Sequence, residues 1–124
     1  MPPKTILLVE DEDNIAIALE YLIRQMGHRS ARVADGTAAL AALAGDPPAL
    51  VVLDVMLPKR SGFEICQIIR KEPALAETKV LMMTAGGGEV ERRKGLALGA
   101  DAFLMKPFAT RDLTDRIAEL LDDG

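Results

Sequence analysis

Two rhythms of apolar and polar residues alternate along the chain. Thr5-Ile6-Leu7-Leu8-Val9, Ala49-Leu50-Val51-Val52-Leu53 and Val80-Leu81-Met82-Met83 are short, nearly unbroken hydrophobic runs. Between them lie stretches in which apolar residues recur every three or four positions. Unbroken runs suit strands buried on both faces, and the longer spacing suits helices with one buried stripe. The pattern predicts strands over 5–9, 30–34, 50–54, 79–83 and 101–105, and helices over 14–26, 37–44, 62–71, 89–98 and 110–121.

Local signals support the helices. In the first, Leu19, Leu22, Ile23 and Met26 form the stripe, Asp13 is placed to cap and Gly27 to stop the helix. Ser61-Gly62-Phe63-Glu64 reads as a capping box for the third, with Ile65, Ile68 and Ile69 on one face. Glu89 and Glu91 suit the positive end of the fourth helix, and Gly99 ends it. Thr110 is placed to cap the fifth, Asp112 suits its first turn, and Leu113, Ile117, Leu120 and Leu121 are its buried residues.

Five strand–helix alternations imply a parallel sheet with helices on both faces. The first and third strands are the most uniformly apolar and belong at the centre, whereas Ser30-Ala31-Arg32-Val33-Ala34 is polar enough for an edge. The strand order is therefore 2-1-3-4-5, a flavodoxin-like, doubly wound α/β fold. No repeat, low-complexity tract or linker divides residues 1–124, and we read them as one domain.

Composition narrows the class. With 49% hydrophobic and 27% charged residues the chain reads as a soluble globular domain. A net charge of −4 argues against direct binding to nucleic acid or to an anionic membrane. Neither a membrane-length apolar run nor a signal segment behind Met1-Pro2-Pro3-Lys4 is found, and a single cysteine allows no internal disulfide, so a cytoplasmic location is expected.

Chemistry gathers at the strand ends. Glu10 and Asp11 follow strand one, Asp54 closes strand three, strand four runs into Thr84-Ala85 and strand five into Lys106-Pro107. In the order 2-1-3-4-5 strands one and three are neighbours, so the three acids converge where such sheets bind ligands. Two unit charges about 4 Å apart repel by roughly 4 kcal/mol at an effective dielectric near 20, so the cluster calls for a cation. Mg²⁺, or Mn²⁺ in its place, would reverse the local field. A carboxylate can then carry a phosphoryl group, with Lys106 and Thr84 placed to hold phosphoryl oxygens.

Ile6-Leu7-Leu8-Val9-Glu10-Asp11-Glu12, Asp54-Val55-Met56-Leu57-Pro58 with Gly62, Met83-Thr84-Ala85, and Gly99 through Phe108 together resemble the receiver domains of two-component response regulators. The resemblance spans essentially the whole chain and is nearest to the winged-helix transcription-factor branch. It implies that Asp54 is the phosphoacceptor, that Asp11 ligates Mg²⁺ with Glu10 assisting, and that the backbone carbonyl of Met56 completes the protein's share. It further implies that Lys106 pairs with Asp54 and then with the phosphoryl group, that Thr84 moves inward, and that Phe103 follows into the vacated space. A cis Lys106-Pro107 peptide is expected on the same ground. So are a sensor histidine kinase or phosphotransfer protein as donor, and an effector domain or partner protein contacted through residues 89–121. The domain would be a self-modifying phosphoacceptor rather than an enzyme with an external substrate.

Receivers of that branch dimerise through ion pairs, and Arg92 with Asp112 and Asp101 with Arg116 occupy matching positions, although Ala102 replaces an acid. The expectation is a monomer that dimerises weakly when phosphorylated, and solvated surface charge explains the same residues equally well. Glu10 stands where aspartate is commoner, and Phe103 excludes a tyrosine-hydroxyl switch. Met56 offers no polar group to orient a hydrolytic water, which points to slow-to-moderate loss of the phosphoryl group.

Each residue alone has a plainer reading: Asp13 as a cap, Thr84 as a strand former, Lys106 as a solvated charge, Phe103 as core. Gly86-Gly87-Gly88 reads as a flexible loop, His28 as an exposed turn residue and Cys66 as an inert thiol. Three competing functions have weaker support. An FMN-binding electron carrier would place its phosphate against Glu10-Asp11-Glu12-Asp13. An aspartyl phosphatase would want an acid where Met56 stands. A receiver-like interaction module that is never phosphorylated would have no use for the complete polar set.

Overall fold

A computed structural model describes residues 3–86 and 88–122. Met1 and Pro2, from the segment read for a signal, the last two residues of the expected 1–124 domain, and Gly87 of the glycine run lie outside the described residues. The strands are β1 Thr5–Val9, β2 Arg29–Val33, β3 Leu50–Asp54, β4 Lys79–Thr84 and β5 Ala102–Met105. The helices are α1 Asp13–Gln25, α2 Gly36–Leu43, α3 Gly62–Lys71, α4 Gly88–Ala97 and α5 Thr110–Leu121, with one 3-10 turn at Pro73–Leu75. All strand pairs are parallel, in the order β2-β1-β3-β4-β5 expected from burial. No helix of the described residues is long and apolar enough to cross a membrane.

Alternation along the strands divides the core. Ile6, Leu8, Leu50, Val52, Leu81 and Met83 pack under α1 and α5, against Leu19, Ile23, Leu113 and Ile117. Leu7, Val9, Val51, Leu53, Val80 and Met82 face the other way, against Ala39, Leu43, Ile65, Cys66 and Ile69 of α2 and α3. Side chains on a strand change face at every residue. Glu10 and Asp54 therefore continue the α1/α5 face, while Thr84, two residues past Met82, continues the opposite one.

Two expected caps differ in the structure, and an expected capping box forms only in half. Glu12, not Asp13, is the α1 N-cap, and its side chain makes no capping bond. Asp13 is already helical and pairs with Arg32 of β2 at 3.0 Å. Likewise Ala109 precedes α5 and Thr110 is its first helical residue. Ser61 does cap α3, accepting from the Glu64 N–H at 3.2 Å, but the Glu64 carboxylate turns to Arg60 instead of closing the reciprocal half of a box. For Asp13 and Glu64 an arginine competes successfully for the carboxylate.

Strand β5 begins at Ala102, one residue later than expected, because Asp101 is engaged elsewhere. Its Oδ2 accepts from the Val80 N–H at 2.8 Å and from Arg70 at 2.7 Å. Arg70 also donates to the carbonyls of Gly99 and Thr78, each at 2.8 Å, tying α3 to the start of β5. Gly99 adopts φ +110°, a conformation that ends α4 and that an L side chain resists.

Candidate functional site

The sheet register assembles the acids. Val9 lies opposite Leu53, so the next residues, Glu10 and Asp54, leave their strands side by side. Both are enclosed: Glu10 has no exposed surface and Asp54 keeps only 5% of its own, while Asp11 on the following loop is exposed. One carboxylate oxygen from each of Glu10, Asp11 and Asp54 lies within 4.8 Å of the other two. An all-oxygen, anionic donor set of this size fits a hard divalent cation such as Mg²⁺.

Lys106 crosses the cluster. Its Nζ lies 2.7 Å from Asp54 Oδ2, as expected, and also 2.8 Å from Glu10 Oε1, which the sequence reading did not anticipate. The remaining oxygens are satisfied by backbone: Glu12 N–H donates to Glu10 Oε2 at 3.1 Å, and Met56 N–H donates to Asp54 Oδ1 at 3.0 Å. Burial raises the Glu10 pKa, the largest effect there, and the bonds to Lys106 and Glu12 only partly oppose it. Burial alone would lower the Lys106 pKa, but bonds to Asp54 and Glu10 outweigh it and hold the ammonium above its ordinary range. The peptide between Lys106 and Pro107 is cis.

Arg32 supports the acidic loop from β2. Its Nε donates to the Glu10 carbonyl at 2.9 Å and its other arm meets Asp13. One terminal nitrogen is buried without a hydrogen-bond partner among the described residues. An open cleft of about 830 Å³ runs from Asp11, Asp54 and Lys106 along the α1 residues Asn14, Ile15 and Ala18 to Phe108. Met56 overhangs it with 68% of its surface exposed.

Thr84 is buried but is not gathered with the acids. Its hydroxyl donates to Glu91 Oε1 on α4 at 2.8 Å and accepts from the Gly86 N–H at 3.3 Å. Strand alternation accounts for this, since residue 84 starts on the α3/α4 side of the sheet and Asp54 on the other. Phe103 is partly buried on the same side as Thr84, over Gly95. A Cβ at Gly95 would stand 2.9 Å from Met82 Sδ and 3.1 Å from the Phe103 ring, so the missing side chain is what lets α4 lie over β4 and β5.

Other expectations resolve plainly. Arg92 pairs with Glu89 at 2.7 Å, Asp101 with Arg70, and Arg116 with Glu119 at 3.3 Å, all within the chain. His28, expected to be exposed, is half-buried, and its Nδ1 accepts from the Lys4 N–H at 3.1 Å; burial lowers its pKa. Cys66 is fully buried, and burial raises the thiol pKa. Sequence reasoning missed Glu91 and Arg32 as partners of the site. No local signal marks either, because each acts through a contact made only when a helix or edge strand docks.

Comparison with known proteins gives one consistent result. The response regulator receiver domain profile matches residues 6–118. The chain is 38% identical over 118 residues to the alkaline phosphatase synthesis transcriptional regulatory protein PhoP of Bacillus subtilis, covering 95% of this chain and 48% of that protein. It is 39% identical over 121 residues to the phosphate regulon transcriptional regulatory protein PhoB of Rhizobium meliloti, covering 98% of this chain and 53% of that one. It thus spans about half the length of the curated relatives it matches. The crystal structure of a CheY-like response regulator receiver domain protein from Methanospirillum hungatei superposes with a TM-score of 0.90 at 29% identity, covering 98% of this chain and 95% of the other.

Proposed function

Since this chain belongs to the response regulator receiver family, a phosphoacceptor family of two-component signalling whose members work with histidine kinases, we propose that Asp54 is its acceptor and derive the roles of the other residues from that premise. The observation that carries this reading is the pairing of the enclosed Asp54 carboxylate with Lys106 at 2.7 Å, beside Glu10 and Asp11. The carboxylate is the nucleophile: one oxygen forms a bond to phosphorus as the phosphorus–nitrogen bond of a donor phosphohistidine breaks. Met56 N–H and Lys106 hold the carboxylate in place from its two oxygens. The ammonium then transfers its attraction from the esterified carboxylate to the new phosphoryl oxygens.

Asp11 and Asp54, with Glu10 behind them and the Met56 carbonyl alongside, would hold Mg²⁺ or Mn²⁺, which supplies the positive charge that offsets three acids and an anionic donor. Thr84 would turn across the sheet end to a phosphoryl oxygen, and Phe103 would repack beneath α4. The face formed by residues 89–121 would then change its affinity for an effector domain, a partner protein or a second copy. A phosphotransfer protein would serve as donor by the same chemistry as a kinase.

The test is incubation with Mg²⁺ and acetyl phosphate, read by intact mass. Wild type should gain one phosphoryl group and Asp54→Ala none. An unmodified wild type, or a variant modified to the same extent, refutes the assignment.

Phosphoryl lifetime offers a separate check. The exposed Met56 thioether cannot orient an attacking water. Met56→Asn adds an amide at that position, and one net hydrogen bond is worth about 1 kcal/mol. The half-life of the phosphorylated form should shorten by about fivefold. Equal half-lives would remove Met56 from the account.

A further inference from the structure

The hydroxyl that the phosphoryl group needs is already in use. Thr84 Oγ1 carries a single proton, and that proton is donated to Glu91 Oε1 at 2.8 Å. The same oxygen accepts from the Gly86 N–H at 3.3 Å, so the side chain is held from both sides on the α4 face of the sheet. We propose that Glu91 is a positioning residue that competes with the phosphoryl group for the Thr84 hydroxyl and thereby sets how readily the domain switches. This rests on Asp54 being the acceptor.

Three features support competition rather than simple packing. First, a hydroxyl donates to one acceptor at a time, so Thr84 cannot serve Glu91 and a phosphoryl oxygen on the opposite side of the sheet together. Second, Glu91 makes no other hydrogen bond or ion pair among the described residues, although Glu89, two residues earlier, is paired with Arg92 and Arg93. Its carboxylate is half-buried, so losing the hydroxyl has a real cost that wild type must overcome on switching. Third, α4 is lightly anchored. Gly95 is its only buried residue, and Gly88 at its start adopts φ +52°. The Thr84–Glu91 bond is therefore a substantial part of what ties this helix to the end of β4. Breaking it removes one tie of the helix to the sheet as the phosphoryl group captures the hydroxyl, beside the packing of Gly95 on Met82 and Phe103 and the Lys94 ammonium 4.5 Å above the Phe63 ring.

The test is a double-mutant cycle on binding of beryllofluoride, a tetrahedral phosphoryl mimic, with Mg²⁺ by calorimetry. Glu91→Ala should bind it about five- to tenfold more tightly than wild type, the worth of one net hydrogen bond at a half-buried position. Glu91→Gln, which keeps an acceptor without the charge, should fall between them. In a Thr84→Val background, where no hydroxyl remains to be contested, Glu91→Ala should change affinity less than twofold. An equal gain in both backgrounds would show that Glu91 acts by bulk charge and overturns the proposal, as does unchanged affinity in the single variant. A wild type that gains no phosphoryl group from acetyl phosphate overturns the Asp54 assignment itself. Normal phosphorylation with no coupling between Glu91 and Thr84 overturns this inference alone.

Discussion

Lys106→Met is expected to lower the unfolding free energy by about 3–5 kcal/mol at pH 7 in EDTA, the usual penalty for removing one partner of a buried ion pair. Nζ is the only side-chain cation within bonding distance of either Glu10 or Asp54 among the described residues. Without it two enclosed carboxylates face each other with backbone donors alone. Methionine keeps the aliphatic stem, so the loss reports charge rather than volume. Urea unfolding followed by circular dichroism measures it.

The sign with pH is specific. The Glu10 carboxyl has a raised pKa in the folded protein, with burial as the largest cause. Such a group contributes stability that is present below the unfolded carboxylate pKa and is lost as pH rises through the folded one. Lys106 is also raised, and its contribution is present at neutral pH and lost only above the ordinary lysine range. Removing Lys106 takes away the attraction that restrains the Glu10 rise, so the variant should lose stability most at neutral pH and recover part of it toward pH 5. Millimolar Mg²⁺ should restore part of it at pH 7. A deficit below about 1 kcal/mol, or one that deepens on acidification, contradicts this account.

Gly62→Ala should be comparably damaging for a steric reason. A Cβ at Gly62 would sit 2.3 Å from the Asp54 carbonyl oxygen and 2.8 Å from Val55 Cα. Both are backbone atoms, so no side-chain rotation relieves the clash. Either α3 retreats, uncovering Ile65 and Ile69, or the strand end carrying Asp54 shifts. Overpacking costs about 1–3 kcal/mol, and a clash with backbone alone belongs at the upper end of that range. The variant should therefore show both a lower urea midpoint and slower modification by acetyl phosphate. Gly86→Ala is the matched control, since a Cβ there meets nothing within 4 Å, and it should stay within about 0.5 kcal/mol of wild type. A Gly62→Ala protein as stable as that control would show that the α3–Asp54 contact is not rigid.

Much of the molecule is readable without coordinates, and the successes share a cause. Ile6–Val9 and Leu50–Leu53 are apolar on both faces because they are central, and Arg29–Val33 is polar because it is an edge. Burial on each side of a parallel sheet writes itself directly into such runs, so strand order follows from them. The acids follow in turn, because residues after a central strand must emerge at its end. The caps were less legible. Asp13 and Thr110 are sound capping residues by type, yet their helices begin one residue earlier than capping would require. For Asp13 the reason is visible: Arg32, nineteen positions away, takes its carboxylate.

Hydrophobic periodicity and the placement of polar residues at strand ends determine by themselves the parallel sheet, its order and the meeting of Glu10, Asp11 and Asp54. They do so because both are properties of a residue and its near neighbours. Tertiary structure alone decides that Lys106 spans two acids and that the Thr84 hydroxyl turns to Glu91. A polar side chain at a strand end goes to whichever partner the packing of the next element brings within about 3 Å, and that distance is set by elements far apart in the chain.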